Sequence, residues 1–102
     1  MYERTVLTRK HLRRLRNEID FGHLFRYLRW PHSRNHGKLT FVCPDCNESQ
    51  TSVNPRTNLA RCFRCQKNWN PIEFTMQVYR IEFLAAVGQL ECLLPPESKS
   101  EA

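Results

Sequence analysis

The sequence predicts a small α+β domain, in which a short antiparallel sheet is held by one metal ion and flanked by N-terminal and C-terminal helices. Three observations lead to this fold class. Two Cys-x-x-Cys pairs have the spacing of a metal site, a turn-rich segment between them folds the chain back as a hairpin, and capped helices with apolar stripes lie on either side. Two cysteine pairs at the ends of one hairpin are typical of a zinc ribbon.

The metal site is predicted from Cys43 and Cys46, which form the first pair, and from Cys62 and Cys65, which form the second. The pairs are separated by 15 residues. Two residues between the cysteines of a pair turn the backbone tightly enough for both sulfurs to reach one ion, and four thiolates complete the tetrahedral set that zinc prefers. We therefore predict one Zn²⁺ ion bound by all four cysteines.

Other uses of these cysteines fit the sequence less well. Disulfides or a redox dithiol are the alternatives, and disulfides belong to secreted proteins. The first residues are polar and charged and do not resemble a signal peptide. No apolar run reaches the length of about 18 residues that a membrane span needs. The expected compartment is the reducing cytoplasm, with no membrane partner. Iron stays open as an alternative ion, since spacing alone does not distinguish it from zinc.

Two helices are predicted before the first cysteine pair. Thr8 can cap a helix over residues 9–17, and Asp20 can cap a second helix that ends at Trp30, because Pro31 disfavours helical geometry in the residue before it. The residues that face the core recur at helical spacing: they are Leu12, Leu15, Ile19, Leu24, Phe25 and Leu28.

A polar loop over residues 32–37 is predicted to lead into the sheet. Residues 39–42 form a strand that enters the first cysteine pair, and residues 51–53 form the strand that leaves it. Turn-forming residues at 54–58 reverse the chain, which returns through residues 59–61 to the second pair. Such short antiparallel strands depend on the metal to persist.

The clearest helix start follows the second cysteine pair. Asn70 at the cap, Pro71 at the first helical position and Glu73 at the third predict a capping box, with the helix running to about Tyr79. A further helical segment over residues 82–93 ends at two prolines and carries one apolar stripe: Phe83, Val87, Leu90 and Leu94. We expect one domain over residues 8–94, a flexible lead at 1–7 and a disordered tail at 95–102.

The charge distribution favours a nucleic-acid partner. The net charge is +6, and residues 1–38 hold ten of the sixteen Lys and Arg but three of the ten Asp and Glu. A basic region of this kind is typical of nucleic-acid binding, although basic residues on a helix also simply solvate an exposed face. The predicted phosphate contacts are Arg13, Arg14, Arg16, Arg56, Arg61, Arg64 and Lys67.

Aromatic residues lie between the cations near the second cysteine pair, and this combination is typical of single-strand binding. Trp69 is predicted to contact a base, and packing inward as a hydrophobic staple before the helix cap is the equal alternative. Phe63 is predicted to lie in the core rather than to stack on a base. His32 and His36 have a metal-like spacing, but four cysteines already complete a site, so both are predicted to be polar loop residues or phosphate contacts. Cys92 is predicted to be a buried, unreactive thiol on the apolar side of the last helix.

At the cysteine pairs and around them, the sequence resembles the zinc-binding domain of bacterial replicative primases. The resemblance spans roughly residues 8–94, and Cys46 stands where that family usually has a histidine ligand. The matching segments are Ile19-Asp20, Phe41-Val42-Cys43-Pro44-Asp45-Cys46, Glu48, Thr51-Ser52-Val53-Asn54-Pro55, Arg61-Cys62-Phe63-Arg64-Cys65, Phe74-Thr75-Met76, Phe83 and Ala86-Val87.

This resemblance implies a stand-alone module that binds single-stranded DNA and assists a replication polymerase, primase or helicase chain in trans. The acidic residues are scattered, with no paired cluster to hold two metal ions for phosphoryl transfer, so the sequence predicts that the module is not itself an enzyme. The alternative function is a zinc-stabilised adaptor, whose basic N-terminal helix docks an acidic protein partner.

Overall fold

A computed structural model describes residues 8–95 of the chain and confirms the small α+β class. In this part of the chain, four α-helices and one short 3-10 helix pack around two small antiparallel sheets. The elements in chain order are α1 (Arg9–Asn17), α2 (Phe21–Leu28), β1 (His32–Asn35), β2 (Lys38–Phe41), β3 (Thr51–Asn54), β4 (Leu59–Cys62), β5 (Lys67–Trp69), α3 (Pro71–Tyr79), α4 (Phe83–Leu90) and the 3-10 helix Glu91–Leu93. The predicted lead at 1–7 and most of the predicted tail, at 96–102, lie outside the described residues.

Both N-terminal helices begin at the predicted caps. The Thr8 hydroxyl accepts a hydrogen bond from the backbone N–H of His11 at 3.0 Å, and the Asp20 carboxylate accepts one from the N–H of His23 at 3.1 Å. These bonds satisfy N–H groups that a helix start leaves without an internal partner. Helix α2 ends because Arg29 adopts the left-handed conformation, with a φ of 55°.

The first sheet corrects one prediction. The segment predicted as a polar loop contains β1, which pairs antiparallel with β2 from His32 opposite Phe41 to Asn35 opposite Lys38. All four residues of β1 are exposed, so the segment has no apolar alternation that would identify it as a strand. Gly37 follows β1 in the connecting turn with a φ of 78°, a conformation that glycine adopts without strain.

The second sheet has the order β3-β4-β5, and both pairings are antiparallel. The hairpin of β3 and β4 confirms the prediction, whereas β5 was not predicted. Thr51 joins the two sheets, since its buried hydroxyl accepts a hydrogen bond from the Phe41 N–H at 2.8 Å and donates one to the Phe41 carbonyl at 2.5 Å. This side chain therefore satisfies buried backbone groups where no strand ladder does.

The C-terminal helices follow the predicted capping box. The Asn70 side chain accepts a bond from the Glu73 N–H at 2.8 Å, and the Glu73 carboxylate accepts one from the Asn70 N–H at 3.0 Å. Helix α3 ends as predicted, and Arg80, with a φ of 55°, separates it from α4. Of the predicted α4 stripe, Val87 and Leu90 are buried, but Phe83 is 39% exposed because it lies in the first turn.

The centre of the core is Phe74, on the buried face of α3. Its ring is fully buried and meets five aromatic rings edge-on at centroid distances of 5.3 to 6.0 Å. Such tilted contacts are the favoured arrangement of aromatic pairs. The five rings lie on α2, just after its C-terminal end, on β2 and on β5, so Phe74 joins the helices to both sheets. These rings belong to Phe21, Phe25, Trp30, Phe41 and Trp69.

Replacing Phe74 with alanine should destabilise the zinc-loaded protein by about 3–5 kcal/mol, since the change leaves a cavity at the junction of all layers. Urea unfolding followed by circular dichroism measures this. The matched control is Phe63→Ala, because Phe63 is 55% exposed and its loss opens no cavity. Equal unfolding midpoints for the two variants would contradict the central role of Phe74.

Candidate metal centre and nucleic-acid interface

The four predicted metal ligands meet at one point between the two knuckles, the tight turns at residues 43–46 and 62–65. The sulfur atoms of Cys43, Cys46, Cys62 and Cys65 all lie within 4.8 Å of one another. The Cys43–Cys65 and Cys46–Cys62 sulfur distances are both 3.8 Å. Tetrahedral zinc with Zn–S bonds of about 2.3 Å places its sulfurs about 3.8 Å apart. The cluster therefore fits a single zinc ion held by all four thiolates.

The two knuckles have the same local geometry. Asn47 follows the first and Gln66 follows the second, both with a positive φ, and their N–H groups donate to the carbonyls of Cys43 and Cys62 at 2.9 and 2.8 Å. The Cys65 N–H also points at the sulfur of Cys62 at 3.4 Å. In the first knuckle, the Cys46 N–H points in the same way at the sulfur of Cys43 at 3.5 Å. Donors aimed at sulfur favour the thiolate that binds metal.

Without the ion, the thiols do not ionise equally. Burial raises the pKa of Cys43, and burial together with hydrogen bonds to the other cysteines raises the pKa of Cys65 to about 12. Burial acts in the same direction on Cys62, but hydrogen bonds from backbone N–H groups and neighbouring thiols outweigh it and lower the pKa of Cys62. The metal-free cluster therefore retains protons, which a bound ion displaces.

One side chain of the first knuckle is held by two other elements. The Asp45 carboxylate accepts hydrogen bonds from the ammonium of Lys67 on β5 and, at 2.6 Å, from the Gln77 amide on α3. The bond to Asp45 raises the pKa of Lys67. Lys67 lies opposite Cys62 in the ladder and therefore on the inner face of the sheet. This predicted phosphate contact thus has a structural partner inside the domain.

The outer face of the three-stranded sheet carries a different set of side chains. Along β4, Ala60 and Cys62 point into the core, so Arg61 between them points outward. Its guanidinium donates to the Asn68 side-chain carbonyl at 3.1 Å and lies 5.6 Å from the centre of the Phe63 ring. That second distance is within the range of a cation–π contact.

An open groove of about 670 Å³ runs over this outer face. Its sides include His36 in the β1–β2 turn, Lys38 at the start of β2 and Pro55 in the β3–β4 turn. Arg61 and Phe63 line it together with the polar residues of the sheet. No acidic residue is among the described residues that line the groove, so it combines positive charge, hydrogen-bonding groups and one exposed aromatic ring.

Two aromatic residues differ from the predictions in their exposure. Trp69 packs inward, as its alternative prediction stated, and not toward a base: it is 4% exposed and meets Phe41 and Phe74 edge-on. Its place in β5, opposite the buried Ala60, directs the ring inward, and a buried ring cannot stack on a base. Phe63, predicted to be core, is 55% exposed because it follows the inward-pointing Cys62.

The predicted arginines do not form one cluster. Arg56 lies on the β3–β4 turn and Arg64 in the second knuckle, while Arg13 and Arg16 lie on α1. Within residues 8–95, no hydrogen bond or ion pair engages these four guanidinium groups. Arg14 differs, since its guanidinium donates to the Glu18 carboxylate at 3.0 Å and to the Pro95 carbonyl at 2.6 Å. We therefore assign Arg14 a structural contact and do not include it among the phosphate contacts.

Sequence reasoning missed three groove residues, of which only one gave a usable signal. Alternation outward from Cys62 places Phe63 on the outer face. Lys38 depends on the undetected pairing of β2 with β1, and Asn68 belongs to the unpredicted β5. His36, predicted as a polar loop residue or a phosphate contact, does line the groove.

Two further predictions, on the histidines and on the fifth cysteine, have clear outcomes in residues 8–95. The cysteine cluster is the one group there with metal-site geometry, and it includes neither His32 nor His36. The prediction for Cys92 is wrong, since its side chain is exposed. Helix α4 ends at Leu90, and the following 3-10 turn changes the direction in which Cys92 points, so that its thiol donates to the Gln89 carbonyl at 3.2 Å.

The cysteine knuckles, the hairpin between them and the third strand define a zinc-ribbon domain. The model of one family, the CHC2 zinc finger or zinc ribbon of DnaG primases, matches residues 7–99, and the chain belongs to this family. The resemblance inferred from the residues is thereby confirmed. A search of curated proteins found no match. Among residues 8–95, no helix has the length and apolar character needed to cross a membrane.

The natively purified protein should contain one zinc ion per chain, and Cys62→Ala should lose both the ion and the cooperative fold, because the ion cross-links both ends of the hairpin. Elemental analysis and thermal unfolding measure these properties. Cys92→Ala is the matched control, since Cys92 lies outside the cluster, and it should keep the ion. Full zinc content in the Cys62 variant would overturn the four-sulfur site.

Proposed function

We propose that this zinc ribbon binds single-stranded DNA in the groove on the outer face of its three-stranded sheet. The observation that carries the proposal is the exposed Phe63 ring beside the Arg61 guanidinium, in a groove whose described lining has no acidic residue. Single-strand binding sites combine aromatic rings that stack on bases with cations that pair with phosphates. An exposed ring favours a single strand because the bases of a duplex are already stacked.

The zinc ion positions this site without taking part in contacts to DNA. Phe63 directly follows a metal ligand, and its N–H donates to the Gln50 carbonyl at 2.9 Å, so the backbone on both sides of the ring is fixed. Lys38 supplies a further cation across the groove, and Arg56 and Arg64 supply exposed cations on the adjoining turn and knuckle. A fixed ring loses little conformational entropy when a base stacks on it.

We propose further that the domain assists primer synthesis or replication in the cytoplasm by presenting template to a polymerase, primase or helicase chain in trans. Family membership supports a primase-related role. The acidic residues of the described part do not converge on a metal-type cluster, so the phosphoryl chemistry is assigned to that other chain rather than to this domain.

Binding to a fluorescent oligothymidylate should weaken in Phe63→Ala by about 1–3 kcal/mol, the usual value of one base–aromatic stack. Fluorescence anisotropy at about 50 mM salt measures the affinity, which should also fall steeply as salt increases. Leu84→Ala is the matched control, because Leu84 is also exposed but lies on α4. Failure of the zinc-loaded protein to bind at this salt concentration would rule out the proposed function.

A second candidate function is a protein adaptor, and one observation favours it. Helices α2, α3 and α4 carry large apolar side chains that are 39 to 64% exposed and do not line the groove: Tyr27, Tyr79, Phe83 and Leu84. Exposed aromatic residues are typical of protein interfaces. The basic helix α1 offers a second surface, which suits an acidic partner.

The adaptor function predicts binding to a purified replication polymerase or helicase that persists after nuclease treatment. Leu84→Glu should weaken it about tenfold or more, because a charge would be buried at the interface, whereas Arg61→Glu should leave it unchanged. Size-exclusion chromatography and calorimetry measure the complex. Loss of all binding on nuclease treatment would show that nucleic acid alone bridges the two proteins.

A further inference from the structure

The groove on the sheet shares lining residues with a cavity at the end of the basic helix α1. The β1–β2 turn at Gly37 and the β3–β4 turn at Pro55 line the groove, and the same two residues line a smaller polar cavity of about 280 Å³. The far side of that cavity is formed by the C-terminal end of α1, at Asn17 and Glu18. The two turns therefore lie between the groove and the helix, and both spaces open onto them.

Hydrogen bonds fix this arrangement. The side-chain amide of Asn58, in the β3–β4 turn, donates to the carbonyls of Arg16 and Ile19, each at 2.8 Å. The Arg16 carbonyl is one of the acceptors that the last turn of a helix leaves without an internal partner, and the Ile19 carbonyl lies just beyond the helix. Asn58 thus attaches the turn to the end of α1, and Arg56 is carried, exposed, on that turn.

The two sides of α1 have different partners. On one side, His11 meets the Glu91 carboxylate at 3.0 Å and Arg14 donates to the Pro95 carbonyl, so the C-terminal segment covers that side. On the other side lie Arg9, Arg13 and Arg16, which the spacing of three and four residues places together. We name these three residues the basic flank.

The basic flank has positive charge that no described side chain pairs with. Arg9 and Arg13 are exposed and Arg16 is half-buried, and none of the three guanidinium groups has a hydrogen-bond or ion-pair partner within residues 8–95. The nearest acidic side chain in sequence, Glu18, is paired with Arg14 at 3.0 Å. A polyanion is the occupant whose charge complements this surface.

We propose that the DNA strand bound in the groove continues across the two turns, past Arg56, and that its next phosphates lie along the basic flank. This proposal rests on the proposed function. It assigns the site two segments, a stacking segment on the sheet and an electrostatic segment on α1. Affinity should therefore increase with strand length beyond what the groove alone accommodates.

Anisotropy titrations of the zinc-loaded full chain with two oligothymidylates test this proposal. Their lengths of about 4 and about 12 nucleotides lie within the usual range for single-strand sites. The variant R9E/R13E should weaken binding of the long strand on the order of tenfold and leave the short strand within about twofold, since reversed charges act only where phosphates reach them. R56E should weaken binding of the long strand more than binding of the short strand, since Arg56 lies between the two segments. The salt slope for the long strand should fall by about 1.4 when two phosphate contacts are lost.

The matched control is R26E/R80E, which changes the net charge equally at two exposed arginines outside the groove and the polar cavity. It should weaken the long strand less than R9E/R13E does. Equal affinity of the wild-type protein for both lengths, or equal effects of the two double variants, would overturn the two-segment site. If neither strand binds the wild-type protein, the proposed function itself is overturned. Zinc content and circular dichroism confirm that each variant is folded.

Discussion

The convergence of four sulfur atoms on one ion is the constraint on which the rest of this domain depends. The sheets are made of strands of three or four residues, which do not persist alone in water. The ion clamps the open end of the β3–β4 hairpin, since both knuckles adjoin it. With that end closed, β4 has one register relative to β3 and β5, and side chains on each face of the sheet are determined by alternation from Cys62.

This alternation separates structural from accessible side chains. On the inner face, Trp69 packs against Phe74 and connects the sheet to α3, and Lys67 pairs with Asp45 and connects β5 to the first knuckle. On the outer face, Arg61 and Phe63 contact each other and solvent. Residues that are neighbours in sequence and similar in chemistry therefore have unrelated roles. A linear pattern of cations and aromatics does not distinguish between them.

The predictable parts of the fold were those with local signals. Caps at Thr8, Asp20 and Asn70 and the cysteine spacing each depend on residues a few positions apart, and all four have the predicted geometry. Strand β1 gave no signal because all its residues are exposed, and β5 gave none because its three residues show no apolar alternation. The groove combines the turn that follows β1 and Asn68 of β5 with the β3–β4 hairpin, so its full lining depended on tertiary contacts that no local pattern encodes.

The identity of the second metal ligand determines the net charge of the metal centre that a polyanion in the proposed groove would meet. A zinc ion with three thiolates and one neutral histidine carries one negative charge, whereas the cysteine at position 46 makes the centre doubly negative. A phosphate chain near the second knuckle meets that additional charge. Lys67 lies on the inner face and is drawn to Asp45, so it offsets charge on the side away from the groove. Arg61 precedes the ligand Cys62 and is half-buried, and Arg64 precedes the ligand Cys65 and is exposed. These two cations offset the negative charge of the metal centre on the side that faces solvent. The four-cysteine centre thus occurs together with cations on both sides of the sheet, and these cations offset the negative charge that a phosphate in the proposed groove site would meet.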